Sequence, residues 1–183
     1  MNITIRKADM KDATALLEIY KPYVQNTAIT FEYDVPSVQE FEERIARITK
    51  KYPYLVAETD EGIVGYAYAS TFKDRAAYDW CVETSIYLRA EARGKGTGKK
   101  LYEALEAELK KMHVLNANAC ITYADFEDEY HTNASMYFHE KLGYQFVGRF
   151  HQCGYKFGKW YDMIWMEKML GEHMENPEKV LKV

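Results

Sequence analysis

The sequence predicts an α/β chain, a mixed sheet with helices on its faces. Three observations carry this prediction. Short β-rich runs alternate with segments of helical periodicity. One early pair of β runs is separated only by the turn-forming Thr59-Asp60-Glu61-Gly62, and a second pair closes the chain after the last helical segment. At 183 residues and 48% hydrophobic content the chain can bury one core, and no linker or repeat divides it. The expected domain covers residues 1–170, and a polar tail covers 171–183.

The elements follow in order. Ile3 and Ile5 alternate with polar neighbours, predicting a strand over 2–7, and Asp9 supplies a helix cap. Ala13, Leu16, Leu17, Tyr20 and Val24 share one side of a helix running toward Val24. Residues 26–36 read as a loop whose Thr30-Phe31-Glu32-Tyr33 offers an anion, rings and hydroxyls as a substrate wall. Ser37-Val38-Gln39-Glu40 is a capping-box pattern, and Phe41, Ile45 and Ile48 continue it as a helix ending near Lys51-Tyr52-Pro53. Strands are predicted over 54–58, 63–70, 82–88 and 117–123, with a helix through Leu101, Leu105, Leu109 and Met112 between the last two. A helix over 133–142 closed by Gly143 and strands over 145–150 and 162–167 complete the chain.

Several function classes find little support. The net charge is -4 and Lys/Arg blocks do not exceed short pairs, so a nucleic-acid partner is not expected. No run of eighteen apolar residues occurs and the N-terminus lacks a signal-peptide pattern, so no membrane partner and a cytoplasmic location are expected. Cys81, Cys120 and Cys153 are an odd set without CxxC spacing, read as reduced thiols. The five histidines show no metal-ligand spacing, so no metal is expected.

Chemistry concentrates in Arg93-Gly94-Lys95-Gly96-Thr97-Gly98-Lys99, between a predicted strand and a predicted helix. Glycines let backbone N–H groups converge on an anion, and the helix N-terminus adds positive potential, so the segment predicts a diphosphate cradle. Neither GxxxxGK[ST] nor GxGxxG spacing is present.

Arg93-x-x-Gly96-x-Gly98 in this context resembles the acetyl-CoA signature of the GNAT N-acetyltransferase superfamily. Ordered blocks narrow the likeness to its phosphinothricin acetyltransferases: Thr30-Phe31-Glu32, Gly65-Tyr66-Ala67-Tyr68-Ala69, Arg75-Ala76-Ala77-Tyr78, Val82-Glu83-Thr84-Ser85-Ile86-Tyr87, His139-Glu140-Lys141-Leu142-Gly143-Tyr144 and Gly154-Tyr155-Lys156 through Trp160. The resemblance covers residues 3–170 and implies a GNAT fold, a twisted mixed sheet whose fourth and fifth strands splay apart with helices on both faces. It further implies acetyl-CoA as co-substrate and transfer to the primary amine of a small amino-acid-like molecule of phosphinothricin or methionine sulfoximine type. Ile86, Tyr87 and Leu88 would then contact the pantetheine, and Arg93, Gly94, Lys95, Gly96, Thr97, Gly98 and Lys99 the pyrophosphate.

Glu83 matches the family position of the catalytic carboxylate, and an ammonium acceptor needs a general base before it can attack a thioester. Alternation puts Cys81, Glu83, Ser85 and Tyr87 on one side of the strand and Val82, Thr84, Ile86 and Leu88 on the other. His139 stands at the family position of the acid for the leaving thiolate, with Tyr137 as the neighbouring alternative. Phe31, Glu32, Lys73, Arg75 and Tyr78 are the expected acceptor contacts. The related segment carries two arginines, of which this chain keeps Arg75 and has Lys73 in place of the other. An acidic stretch, Asp125 to His131, precedes Ser135, and either Thr132 or Asn133 takes the place of a cofactor-contacting Asn. The likeness also implies a homodimer. A polyamine or aminoglycoside is the alternative acceptor, and a CoA-binding sensor without turnover is the alternative from another class.

Overall fold

Tyr54-Leu55-Val56-Ala57 is apolar at every position, so a strand made of it must be covered on both faces. The computed structural model, which describes residues 2–182, shows how; Met1 and Val183, the outermost residues of the predicted domain and tail, lie outside the description. Seven strands form one sheet in the order β1-β2-β3-β4-β5-β7-β6. They are β1 (Thr4–Lys7), β2 (Tyr54–Thr59), β3 (Gly62–Thr71), β4 (Cys81–Leu88), β5 (Asn116–Tyr123), β6 (Gln145–Lys156) and β7 (Lys159–Met169). All neighbours are antiparallel except β4 and β5, which run parallel.

Helices α1 (Ala13–Asn26) and α2 (Val38–Thr49) cover one face through Leu16, Tyr20, Phe41 and Ile45, against Tyr54, Val56 and Tyr66. Helix α3 (Thr97–Lys111) covers the other through Leu101, Tyr102, Leu105 and Leu109, against Leu55, Ala57, Ala67 and Ala69. Successive residues of β2 thus enter different cores, which explains its uninterrupted apolar run. The short α4 (Ala134–Lys141) sits on the α3 side, where Phe138 packs on the same core. No described helix is long and apolar enough to cross a membrane.

The parallel pair positions the site. β4 and β5 are in register only from Cys81↔Asn116 to Glu83↔Asn118, although β4 continues to Leu88 and β5 to Tyr123. β5 stays paired with β7 along its whole length. The sheet therefore opens beyond Glu83, which is the splay implied by the GNAT resemblance.

Three details differ from the sequence reading. The last two strands extend well past their predicted 145–150 and 162–167 and meet in a hairpin at Phe157-Gly158. Alternation fails between Phe150 and Gly154 because the register shifts there, with Gln152 at φ 48°, so the strand looks broken in sequence and is only bulged in space. Phe157 and Gly158 both take positive φ, as a tight hairpin turn requires, and Phe157 stacks on Tyr130 with ring centroids 4.2 Å apart. At α2 only half of the expected capping box forms. Ser37 Oγ accepts from Glu40 N at 3.1 Å, while the Glu40 carboxylate turns to Arg44 at 2.6 Å. Residues 171–182 of the tail have no regular secondary structure, yet they are tied down: Trp80 Nε1 donates to Glu178 O at 2.8 Å and Leu181 N to Met112 O at 2.9 Å.

Candidate active site

Backbone groups of a strand alternate in direction within the sheet plane. In β4 the odd residues face β3, as Arg89 N, next in line, does in donating to Val64 O at 2.8 Å. The even residues face β5. Val82 O is met by Asn118 Nδ2 at 3.0 Å, and Thr84 Oγ1 donates to Asn118 O at 3.1 Å, which closes the seam at the point where the strands part. Beyond it, the amide and carbonyl of Ile86 face the gap without a strand partner. At Leu88 the Tyr23 hydroxyl closes the edge again, donating to Leu88 O at 2.6 Å and accepting from Leu88 N at 3.0 Å.

The gap is a narrow cavity of about 60 Å³ between Thr84–Tyr87 of β4 and Ala119–Thr122 of β5, closed on the α3/α4 side by Tyr102, Thr132, Ser135 and His139. On the opposite face a basin of about 540 Å³ opens beneath α2. Its walls include Tyr54, Tyr66 and Tyr68, with Tyr54 and Tyr68 stacked at 4.8 Å, and Glu32 and Arg44 joined at 2.7 Å. Ser85 and Tyr87 line both spaces, and Glu83 lines the basin. One strand therefore separates a slender channel from a wide one, with a carboxylate beside the passage.

Glu83 is partly buried and forms no ion pair among the described residues. Burial raises its pKa above the ordinary carboxyl value, and the Lys73 ammonium acts in the opposite direction. Of the expected acceptor contacts, only Glu32 lines the basin with Glu83. Phe31 is partly buried by Tyr161, 6.5 Å between ring centroids. Lys73, Arg75 and Tyr78 lie exposed on the β3–β4 connection, where Lys73 Nζ is 5.3 Å from the Phe72 ring centre.

His139 is 3% exposed, and both ring nitrogens are engaged. Nδ1 lies 2.7 Å from Ser135 O, an acceptor only, so it must carry the proton, and Nε2 must accept from the Tyr102 hydroxyl at 2.9 Å. Burial pushes the imidazole down to about 4. Tyr137 is half exposed and lines neither space. Thr132 faces the gap, whereas the Asn133 side chain is consumed by the loop: Nδ2 donates to Ala124 O at 3.0 Å and Oδ1 faces His131 Nε2 at 3.0 Å.

Between the end of β4 and the start of α3, Gly94 and Gly96 adopt φ of 71° and 81°, and a Cβ built on either would project into open space. That is the geometry of a cradle whose amides can be approached by a bulky anion. Gly98 serves packing instead, since a Cβ there would lie 3.0 Å from Phe138. Arg93 stacks over Tyr23 at 5.0 Å, and Lys95 and Lys99 are exposed at the N-terminus of α3. Cradle and channel together fit an extended chain ending in a diphosphate. Among the described residues no group of three His, Cys, Asp or Glu side chains could hold a metal ion.

Tyr102, Thr84 and Arg44 were not anticipated. Tyr102 sits next to Leu101 in the apolar stripe of α3, and a phenol at such a position signals a buried hydrogen-bond partner. Glu40 and Arg44 read in sequence as a solvated i,i+4 pair, and nothing there signals Glu32 as the second partner.

Residues 5–165 match the family model described as an acetyltransferase (GNAT) domain. The phosphinothricin N-acetyltransferase of Streptomyces viridochromogenes is 32% identical over 161 residues, covering 88% of this chain and 84% of that one. An L-methionine sulfoximine/L-methionine sulfone acetyltransferase of Salmonella typhimurium is 32% identical, covering 93% and 96%. A GNAT superfamily phosphinothricin acetyltransferase from Sinorhizobium meliloti, solved in complex with AcCoA, superposes with a TM-score of 0.87 at 37% identity, covering 97% of this chain and 94% of that one.

Proposed function

Because the chain belongs to the GNAT acetyltransferase family, we propose that it moves an acetyl group from acetyl-CoA to the α-amine of a small amino acid of the phosphinothricin or methionine sulfoximine type. The observation that carries this reading is the meeting of a narrow channel and a wide basin at Ser85 and Tyr87, beside Glu83. Acetyl-CoA supplies an activated acyl carbon on a good leaving group. The Gly94–Lys99 cradle holds its diphosphate, and the free amide and carbonyl of Ile86 bond the pantetheine as a further strand would. Thr132, rather than Asn133, reaches the same channel.

In the basin Glu83 takes a proton from the acceptor ammonium, freeing the lone pair that forms the C–N bond. Burial raises its pKa and so makes it a stronger base than an exposed carboxylate. Glu32 cannot replace it, because Arg44 already holds that carboxylate. An amide of β4 facing the gap donates to the carbonyl oxygen as negative charge grows on it. As the C–S bond breaks, the nitrogen sheds its second proton in becoming an amide and the thiolate sulfur takes up one in exchange. Tyr102 lies on the channel wall, but its only proton is directed at His139 Nε2 and burial raises its pKa, so it is not the source. Neutral His139, its Nδ1 proton held by Ser135 O, fixes the Tyr102 hydroxyl on the channel wall, and it is assigned that role in place of the expected acid.

Phosphinothricin and methionine sulfoximine, offered with acetyl-CoA to purified protein, should each release free thiol. Turnover of neither would overturn the acceptor assignment, and turnover of a polyamine or aminoglycoside alone would replace it. The edge strand β6 leaves Phe146, Val147 and Phe150 more than half exposed, which supports a homodimer through that edge. Light scattering should give twice the chain mass, and Phe150→Asp should shift it toward the monomer.

A further inference from the structure

Lys156 lies in β6, is 3% exposed, and donates all three of its ammonium protons to backbone carbonyls: Val24 O at 2.8 Å, Thr27 O at 2.8 Å and Thr30 O at 2.7 Å. Helices end with carbonyls that lack partners, and a cation at that end also meets the favourable pole of the helix. One side chain thus closes the last turn of α1 and the first residues of the α1–α2 connection. An ammonium is costly to bury, and among the described residues no carboxylate pairs with this one. A neutral donor or water could satisfy the same carbonyls without burying a charge, so the observation to explain is why an ammonium stands here.

The segment it holds carries Phe31 and Glu32, and the β6–β7 hairpin grips the same segment at further points. Gly154 leaves room for the Phe31 ring, because a Cβ there would lie 2.3 Å from the ring carbons. The Tyr33 hydroxyl donates to Tyr155 O. From the acidic stretch, Tyr130 O accepts from Ala28 N at 2.8 Å. Glu32 reaches the basin from this segment and is fixed there by Arg44.

We propose that Lys156 is a positioning residue: it pins the α1–α2 connection to the β6–β7 hairpin and so sets Glu32 in the acceptor wall, with Phe31 wedged behind it between Tyr161 and Gly154, without touching the acceptor. This rests on the basin being the acceptor site. Lys156→Met leaves three carbonyls unpartnered and should let the wall drift, while the Gly cradle and Glu83 stay in place. Acceptor KM should rise by about tenfold or more, with kcat and the Kd of acetyl-CoA changed by less than about threefold. Gly154→Ala presses on Phe31 from the hairpin side with Lys156 intact and should produce the same split. Hydrogen exchange of residues 26–36 should quicken in Lys156→Met and leave the 94–99 segment unaltered.

Unchanged KM in a folded Lys156→Met protein, or unchanged exchange over 26–36, would overturn the proposal. If Lys156→Met does not fold, Gly154→Ala decides alone, and an unchanged acceptor KM there refutes the wall. If the wild type acetylates no acceptor, the acetyl-transfer reading has failed. The exchange comparison then still judges the clamp.

Discussion

His139 should make this protein lose stability on mild acidification, in a window its burial defines. Its imidazole titrates near 4 in the folded chain against an ordinary value of 6.5. Between those values the unfolded chain binds a proton at this position and the folded chain does not. The contribution is therefore complete above 6.5, declines as the pH falls, and levels off below about 4. At about 1.4 kcal/mol per tenfold, the full displacement amounts to roughly 3 kcal/mol. For a chain of this length that corresponds to about 6–12 °C of melting temperature.

The assay compares wild type with His139→Gln, which can still accept from Tyr102 but cannot titrate. Urea midpoints or melting temperatures at steps from pH 7.5 to 4 should fall more steeply for the wild type across this window and run parallel outside it. Parallel curves throughout would refute the reasoning, as would a nuclear magnetic resonance titration placing His139 near 6.5. Either result would mean that the imidazole can charge in place, and the assignment of Tyr102 as donor to Nε2 would fall with it.

Glu83→Gln should lower kcat by about 10²–10⁴-fold, the usual worth of a general base, while calorimetry shows acetyl-CoA affinity retained. Its melting temperature should stay level or rise, because burial disfavours the native charge; a clear fall would make Glu83 a structural group. The acid limb of kcat/KM should follow Glu83, declining as the pH falls through its raised pKa. Lys73→Met removes the cation that opposes that rise, so the limb should move to higher pH, more visibly at low salt; an unmoved limb would separate Lys73 from the site. Gly96→Ala forces a Cβ into the left-handed region at φ 81°, a cost of about 1–2 kcal/mol, and acetyl-CoA should bind about 5–30-fold more weakly by calorimetry. Unaltered affinity would show that the turn does not hold the diphosphate.

Legibility in the sequence followed periodicity. α1 and α3 carry uninterrupted patterns of period 3.6, and β2 is an unbroken apolar run between Pro53 and the Thr59–Gly62 turn, so their predicted ends lie within a few residues of the observed ones. The hairpin of β6 and β7 was half lost because its bulge breaks the alternation while the partner strand continues to pair. The glycine turn was legible because only backbone chemistry was at stake. Which of Thr132 and Asn133 faces the channel was not, since the answer depends on His131 and Ala124 claiming the asparagine amide. The placing of Lys156 was hidden for the same reason. Its partners are carbonyls more than a hundred positions away, and a carbonyl leaves no trace in a side-chain pattern.

The architecture of β4 explains how one short strand can serve two substrates. A strand has two alternations at right angles: side chains go above and below the sheet, and amides go left and right within it. The first sends Glu83 and Ser85 into the basin and Thr84 into the buried cluster with Tyr102 and Tyr144. The second aims the groups of Ile86 into the gap left by β5. On the proposed assignment a thioester in that gap would run along the sheet, and an amine entering from the basin would approach it from the α2 face. Helices and loops need only keep β5 away beyond Asn118 and hold the acceptor wall at the height of Glu83.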